Sequence, residues 1–564
     1  MRSRVDRFSG GLVTIALVLL ALPTFVAAAG NPQCAGEDVL YNPGNGEDII
    51  VLPGYKVSVF AKDLNFPVAV AFRGNEHRFE VFVLESGHGL PSRCNDETTW
   101  PGGTFAADNP FTPDILVFDQ SGTKKAGPLA KPTASGGGLQ PHGPAIDIAF
   151  ENGFSGGRLF ASDSNQATHA GGGNNTSRLV TVNPDTGQVA PFITGLPTGD
   201  HPTEQITFKG DWIYWSQGST TNSGVVGHDN GGGVGQHDIP CQDIVLSQNR
   251  FNSGDGHMTS GYSDHGVDNR GKTIKAFTGA TGPGICDGAV LRAKVNATNP
   301  KDTIEPFSWG YRNPYGIRFA PDDHPLKGGL FVTENGEDER GARPTENAPD
   351  RLALAQQNPD GSPDYHGWPD RFGFLDSTQA VFNPTGGPGD DLSTPDVLAQ
   401  DRPVKPVLAF PPQQITAPLS LEPADVAAVG LDFAPDSFVG GQVQRGAALI
   451  GREGDFGFSA ANGDPEEGHD VQLVNFSTVG DVLQLKLMRF AFNRTFEQAF
   501  PDGLRGINRP VDFKFGPDGC GYLVDYGAVR DFGQSDPASK FTNSADGPLV
   551  QIPKTGVIWK VCRE

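Results

Sequence analysis

The stretch RNPYGIRFAP, residues 312–321, places a polar, proline-containing segment in front of an alternating strand that ends at Phe319. A short turn separates it from GGLFVTENGE, residues 328–337, which has the pattern of a second, more apolar strand. Short apolar or alternating runs bounded by Gly and Pro are typical of β-strands. The two stretches therefore predict an antiparallel strand pair, with Arg312 and Asn313 placed just ahead of its first strand.

The same pattern recurs along the whole chain, each time with a first strand that ends at phenylalanine. The six phenylalanines are Phe72, Phe150, Phe208, Phe319, Phe433 and Phe515. Helical periodicity is nearly absent between the copies, and repeated strand units with turn-rich loops are typical of β-propellers. We therefore predict an all-β fold, a six-bladed β-propeller with long inter-strand loops. A series of β-sandwiches is the alternative, but it does not predict six similar segments before the strands.

Two consequences follow from a closed ring of six blades. The last segment, GVIWKVCRE (556–564), is expected to pair with YKVSVFAKDL (55–64) and close the ring. The residues just before each first strand are expected to converge at one end of the central channel. These residues are polar and differ from blade to blade, which indicates a central pocket: Asn65, His142, His201, Arg312, Asn313 and Arg509.

The N-terminal residues have the features of a secretory signal peptide. Three arginines precede an apolar run, Leu12–Val26, and three alanines follow at 27–29. An uncleaved anchor is the alternative, but the run is short for a membrane span of about 20 residues. We predict a signal peptide at 1–29, an N-terminal extension at 30–54 and a propeller at 55–564. The mature protein is then secreted or periplasmic, with no membrane attachment.

Cysteine usage agrees with export, and the net charge argues against one class of partner. All six cysteines lie beyond the predicted signal peptide, and disulfides are expected in an oxidising compartment. Of fifteen connectivities, our hypothesis is pairing of sequence neighbours: Cys34–Cys94, Cys241–Cys286 and Cys520–Cys562. The net charge of −23 argues against nucleic-acid binding, which needs a basic surface.

Three motifs resemble the glucose/sorbosone dehydrogenases, which are soluble quinoproteins with a six-bladed propeller fold. They are Gly310–Gly316 (GYRNPYG), 333–336 (TENG) and Gly367–Pro369 (GWP). The resemblance implies an oxidoreductase that oxidises an aldose, or a sugar-derived aldehyde or alcohol, with hydride transfer to bound pyrroloquinoline quinone (PQQ). It also implies a calcium ion with the cofactor. Because the chain has no haem motif, electrons would pass to a separate acceptor.

The same resemblance assigns roles to individual residues. His201 would be the general base, a role that suits a group titrating near neutral pH. Arg312 and Asn313 would contact the cofactor, and Arg509 would pair with one of its carboxylates, because Arg is a bidentate donor. Arg452 stands where the family has a cofactor-binding lysine.

The remaining assignments concern the metal and the substrate. The backbone carbonyls of Gly336 and Glu337 would hold the calcium ion, which prefers oxygen ligands. Gln140, or His142 in its place, would contact the sugar.

Two other functions remain open at this stage. One is a non-redox propeller that binds a carbohydrate or a protein, which is favoured by the missing lysine and by Val511 in place of a second arginine. The other is a calcium-dependent lactone hydrolase, which needs several carboxylates around a central ion; His, Arg and Asn stand there instead.

Overall fold

The structure is a computed structural model, and it describes most of the chain beyond the predicted signal peptide. The described residues are 41–87, 98, 100–165, 175–227, 236–254, 256–279, 282–338, 341–373, 375–376, 404–455, 467–500, 503–531 and 549–564. The predicted signal peptide and the predicted Cys34–Cys94 pair lie outside them. Within these ranges, no helix is long and apolar enough to cross a membrane.

Six antiparallel sheets, each built on four strands, confirm the predicted six-bladed all-β propeller. We number the blades in chain order and give their strands from the inside outwards. Blade 1 contains Pro67–Asn75, Arg78–Glu85, Asp114–Asp119 and Lys124–Leu129. Blade 2 contains Ala145–Phe150, Leu159–Asp163, Ser177–Val182 and Val189–Leu196. Blade 3 contains Thr203–Lys209, Trp212–Gln217, Ala289–Lys294 and Glu305–Trp309, with Asp364–Tyr365 added in parallel.

The second half of the ring has the same design. Blade 4 contains Ile317–Phe319, Leu330–Glu334, Pro349–Ala355 and Ser420–Ala424. Blade 5 contains Ala428–Phe433, Ala448–Arg452, Asp470–Val479 and Val482–Asn493, with Ile49–Val51 on its outer edge. Blade 6 contains Pro510–Phe515, Gly521–Asp525, Gly556–Arg563 and Tyr55–Leu64.

Short elements complete the described chain. Single turns of 3-10 helix span Gly153–Ser155 and Pro300–Thr303. Two-stranded pairs lie in the loops: Ile244–Val245 with Thr273–Ile274, Phe251–Asn252 with Met258–Thr259, Thr278–Gly279 with Gly282–Pro283, Arg371–Phe372 with Leu375–Asp376, and Val529–Asp531 with Leu549–Gln551.

Blade 6 closes the ring with strands from both ends of the propeller. Tyr55–Leu64 pairs antiparallel with Gly556–Arg563, so that Tyr55 lies opposite Arg563 and Val57 opposite Val561. This confirms the predicted closure. The disulfide Cys520–Cys562 links the last strand to the turn before Gly521–Asp525, and Cys241–Cys286 ties together a long insertion of blade 3. Both pairs confirm the neighbour pairing predicted for these four cysteines.

The repeated phenylalanine joins each blade to the one before it. Phe150 packs edge-on against Phe82 with ring centroids 5.2 Å apart, and Phe208 lies 5.3 Å from Phe160. The same contact recurs at each remaining blade interface: Phe319 with Tyr214, Phe433 with Phe331, Phe515 with Phe438 and Phe72 with Tyr522. Aromatic pairs add about 0.5–1.5 kcal/mol beyond their buried area, so the repeated residue stabilises every interface of the ring.

A buried polar network crosses the axis of the channel. Lys514 of blade 6 lies 2.6 Å from Asp147 of blade 2 and 3.2 Å from Asp512. Gln205 of blade 3 donates to Asp512 across 3.0 Å. Because blades 3 and 6 face each other across the ring, these side chains fill the channel further along the inner strands.

Each blade interface should depend on its phenylalanine. Phe150 is buried, so Phe150→Ala should lower the free energy of unfolding by about 3–5 kcal/mol. Guanidinium unfolding followed by tryptophan fluorescence measures the change. The control is Phe105→Ala, since Phe105 is about half exposed and should change stability by no more than about 0.5 kcal/mol. Equal losses in the two variants would contradict the assignment.

Candidate active site

The loop before each inner strand is called here a mouth loop, and in five of the six blades a polar side chain at the end of the second strand holds it or the first residue of the inner strand. Backbone N–H groups of the mouth loops donate to these buried side chains. The pairs are Asn65 to Glu85 (2.6 Å), Gln140 to Asp163 (3.0 Å), Arg312 to Glu334 (2.9 Å) and Arg509 to Asp525 (2.8 Å). In blade 3 the hydroxyl of Thr203 donates to Gln217 across 2.8 Å. These hydrogen bonds hold the mouth loops against their own blades.

The GYRNPYG motif fits closely against its neighbours at both ends. Gly310 has a φ of +82°, and a Cβ there would lie 2.6 Å from the ring of Tyr365. A Cβ at Gly316 would lie 2.5 Å from the carbonyl oxygen of Val429 in blade 5. Trp368 of the GWP motif donates its backbone N–H to the carbonyl of Gly310 across 2.8 Å. The two motifs therefore form one packed unit that fixes Arg312 and Asn313 between two glycines.

Ser219 joins the mouth loops of blades 3 and 4. Its backbone N–H donates to the carbonyl of Arg312 across 2.8 Å, and its carbonyl accepts from the N–H of His201 across 3.1 Å. Two of the residues that the sequence predicted for the site, one for catalysis and one for the cofactor, are therefore neighbours at the mouth.

Asp200 links the side chains of these two residues. Its carboxylate lies 3.2 Å from His201 Nδ1 and 3.3 Å from Arg312 Nη2. Arg312 also pairs with Asp338 and donates through Nη1 to the carbonyl of Gly336 across 2.7 Å. A carboxylate beside Nδ1 favours the tautomer with its lone pair on Nε2. The cluster can therefore hold a basic imidazole at the mouth, and its carboxylate can stabilise the imidazolium.

Both predicted cofactor contacts in the GYRNPYG motif keep an unused polar atom. Arg312 Nε and Asn313 Oδ1 are buried and make no hydrogen bond within the described part of the chain. Asn313 Nδ2 donates to Asn335 Oδ1 across 2.9 Å, which fixes the amide. Unsatisfied buried polar groups cost free energy, so a ligand with both donors and acceptors would satisfy them. In this respect the residues fit PQQ, whose quinone and carboxylate oxygens accept hydrogen bonds and whose pyrrole N–H donates one.

The predicted calcium turn lies against the same arginine. The carbonyl of Gly336 accepts from Arg312, and a carbonyl oxygen has a second lone pair. Burial, and then the charge of Glu334, raise the pKa of the neighbouring Glu337 to about 8. Among the described residues, no group of three or more His, Cys, Asp and Glu side chains is placed to hold a metal. A calcium ion here would depend on backbone carbonyls, as the resemblance implies.

Arg509 lies near the half-buried carboxyl group of Glu453, which in turn lies near the buried carboxyl group of Glu204. Neither acid was identified from the sequence. The guanidinium of Arg509 donates to the carbonyls of Gly454 (3.0 Å) and Asp455 (3.1 Å). Burial raises the pKa of Glu453 to about 7, although the charge of Arg509 opposes the rise. Burial, and then the charge of Glu453, raise the pKa of Glu204 well above its usual range.

Glu204 had a signal in the sequence, because it is an acid at a position that is apolar in most blades. Glu204 stands four residues before its strand-ending phenylalanine, where other blades have Val68, Ile146, Val429 and Val511.

The other predicted site residues have contacts that brace the fold. Arg452 makes a bidentate pair with Asp470, at 2.7 and 2.6 Å, and approaches Glu422 at 3.5 Å. The side chain of Gln140 donates to the carbonyl of Thr176 across 2.8 Å. His142 lies half-buried on the same mouth loop as Gln140. A cofactor role for Arg452 and substrate roles for Gln140 and His142 stay predictions.

The buried acids at the mouth should make stability depend on pH. Glu453 has a pKa of about 7 in the folded protein against 4.5 ordinarily, so the folded state keeps a proton that the unfolded state releases. The contribution of Glu453 to the free energy of unfolding should therefore be largest below pH 4.5 and should fall as the pH rises to about 7.

Melting temperatures of the apo-protein across this range measure the fall. Glu453→Gln should make it smaller, while Glu497→Gln, at an exposed position, should leave it unchanged. An identical fall in wild type and Glu453→Gln would show that Glu453 is not the cause.

No family model matches the chain, and no curated protein matches its sequence. Similar solved structures include the iodide structure of a Trichoderma reesei protein of carbohydrate-active enzyme family AA12, with 14% identity, 93% of this chain and 99% of that chain covered, and a TM-score of 0.49. The soluble aldose sugar dehydrogenase of Escherichia coli, in its apo-form, shows 15% identity, coverage of 90% and 100%, and a TM-score of 0.45. The chain itself resembles the glucose/sorbosone dehydrogenases in its six blades and its GYRNPYG motif.

Proposed function

We propose that the protein is an exported oxidoreductase that oxidises an aldose, or a sugar-derived aldehyde or alcohol, with PQQ as cofactor. The observation that carries the proposal is the contact of Asp200 with both His201 and Arg312 at the axial mouth. In this proposal His201 is a base oriented by the Asp200 carboxylate, next to the buried guanidinium of Arg312. General-base catalysis by histidine and binding of an anionic quinone need these two groups together.

His201 acts as the base in this proposal. Its Nε2 takes the proton from the reacting hydroxyl of the sugar, and Asp200 stabilises the imidazolium that results. When bound, PQQ supplies an electrophilic quinone that accepts hydride from the sugar carbon bearing that hydroxyl.

Arg312, Asn313 and Arg509 hold the cofactor. Arg312 Nε could donate to a cofactor oxygen and Asn313 Oδ1 could accept from a cofactor N–H, which would satisfy the two buried atoms that make no hydrogen bond within the described residues. Arg509 contributes a positive charge whose described hydrogen bonds go to backbone carbonyls. The carbonyls of Gly336 and Glu337 hold calcium, and Gln140 or His142 contacts the sugar.

Export fits the described disulfides. Cys241–Cys286 and Cys520–Cys562 would form in the periplasm or outside the cell, and disulfides are rare in the cytosol. In such a compartment electrons leave through a separate acceptor.

Reconstitution tests the proposal. Mature protein with PQQ and calcium chloride should reduce an electron-accepting dye when it is given aldoses, and protein without PQQ should not. If the protein neither binds PQQ nor reduces the dye with any aldose, the redox function is wrong. The non-redox carbohydrate- or protein-binding propeller then becomes the better hypothesis.

The base should be separable from cofactor binding. His201→Ala should lower kcat by about 100-fold to 10,000-fold, while PQQ affinity stays close to that of wild type. The matched control is His77→Ala, at a side chain that is largely exposed in blade 1. Full turnover by His201→Ala would contradict the role of His201. A loss of PQQ affinity as large as the loss of kcat would show that His201 supports the cofactor instead.

A further inference from the structure

A cleft of about 540 Å³ lies beside the mouth, between blade 2 and the insertion of blade 3. Its lining includes Thr220, His237, Asp264, Lys275 and Phe277. Small-molecule sites commonly have volumes of about 300–1,000 Å³, so the cleft has the size of a ligand site. None of the roles assigned above involves it.

The floor of the cleft is fixed by buried acids and a disulfide. Asp287 accepts from the N–H of Ile239 across 2.8 Å and from the hydroxyl of Thr220. Asp238 accepts from the N–H and hydroxyl of Thr221, at 2.9 and 2.6 Å. The Cys241–Cys286 disulfide joins the two sides of the insertion next to these contacts. A ligand would therefore meet a preformed surface at this floor, which lowers the ordering cost of binding.

The walls of the cleft combine an aromatic ring with a lysine, a histidine and carboxylates. The side chain of Phe277 is 53% exposed. His237 Nδ1 lies 2.7 Å from Asp264 Oδ1, and Lys275 Nζ lies 2.5 Å from Asp243. Because His237 and Lys275 each lie beside a carboxylate, the walls suit a neutral ligand with many hydroxyls better than an anion. The apolar face of a sugar ring can pack on Phe277, and its hydroxyls can exchange hydrogen bonds with the paired groups.

The cleft and the mouth share two chain segments. Thr220, which lines the cleft, accepts the backbone N–H of Asp200 at its carbonyl across 3.0 Å. The preceding residue, Ser219, accepts the N–H of His201. Pro197, also in the lining, stands four residues before His201. A chain-like ligand seated in the cleft would therefore extend toward the proposed base.

We propose that this cleft is a saccharide subsite and that the preferred substrate is the end of an oligosaccharide, with one sugar unit at His201 and the next units on Phe277. This proposal rests on the proposed sugar oxidation for its substrate, but the subsite can be tested without turnover.

Binding to the apo-protein is the direct test. Calorimetric titrations would compare glucose, xylose and mannose with their β-1,4-linked and α-1,4-linked di- and trisaccharides. At least one trisaccharide should bind about tenfold more tightly than its monosaccharide. Phe277→Ala should abolish that advantage and leave monosaccharide affinity unchanged. The control is Phe105→Ala, a phenylalanine of similar exposure on blade 1, which should keep it.

Two results would overturn the subsite. One is equal affinity for mono-, di- and trisaccharides throughout the panel, including no binding at all. The other is a trisaccharide advantage that survives in Phe277→Ala. If dye reduction fails while a trisaccharide still binds more tightly than its monosaccharide in wild type but not in Phe277→Ala, the subsite stands and the proposed redox function fails. If dye reduction succeeds with the same KM for every chain length, only the subsite fails.

Discussion

The pairing of Tyr55–Leu64 with Gly556–Arg563 is the constraint on which the rest of the molecule depends. Blade 6 has four strands only because the two ends of the propeller meet, and its inner strand then contacts blades 1 and 5. Closing a loop this long has an entropic cost that rises slowly with its length. Eight-residue and ten-residue strands, together with the Cys520–Cys562 disulfide, offset that cost. Closure brings six mouth loops from distant parts of the sequence to one end of the channel.

The sequence predicted the ring well because its signals are local and repeated. A strand that alternates, ends at phenylalanine and is followed by a turn can be recognised from about ten residues, and six copies reinforce one another. The structure adds the reason for the phenylalanine, which packs against an aromatic ring of the preceding blade. That partner is far away in sequence, so periodicity alone could not identify it.

The site was predicted less completely because its geometry depends on contacts between blades. The motif around Arg312 and the position of His201 led to two residues that the structure brings together. Asp200, which joins them, was adjacent to His201 in the sequence but had no recognisable pattern of its own. Arg452 shows the opposite case, since its position suggested a ligand contact and its bidentate partner is Asp470. A buried arginine needs a partner to offset its desolvation, and only the fold shows which partner it has.

The two arginines at the mouth have different described partners. Arg312 is matched by Asp200 and Asp338, whereas Arg509 directs hydrogen bonds to backbone carbonyls and lies near acids whose pKa values are raised by burial. We expect an anionic quinone to bind beside Arg312 and Asn313. A crystal structure of the protein grown with PQQ and calcium chloride tests it directly. We predict PQQ at the axial mouth, with one of its oxygens within hydrogen-bond distance of Arg312 Nε. An empty mouth at saturating PQQ, or PQQ bound elsewhere, would contradict it.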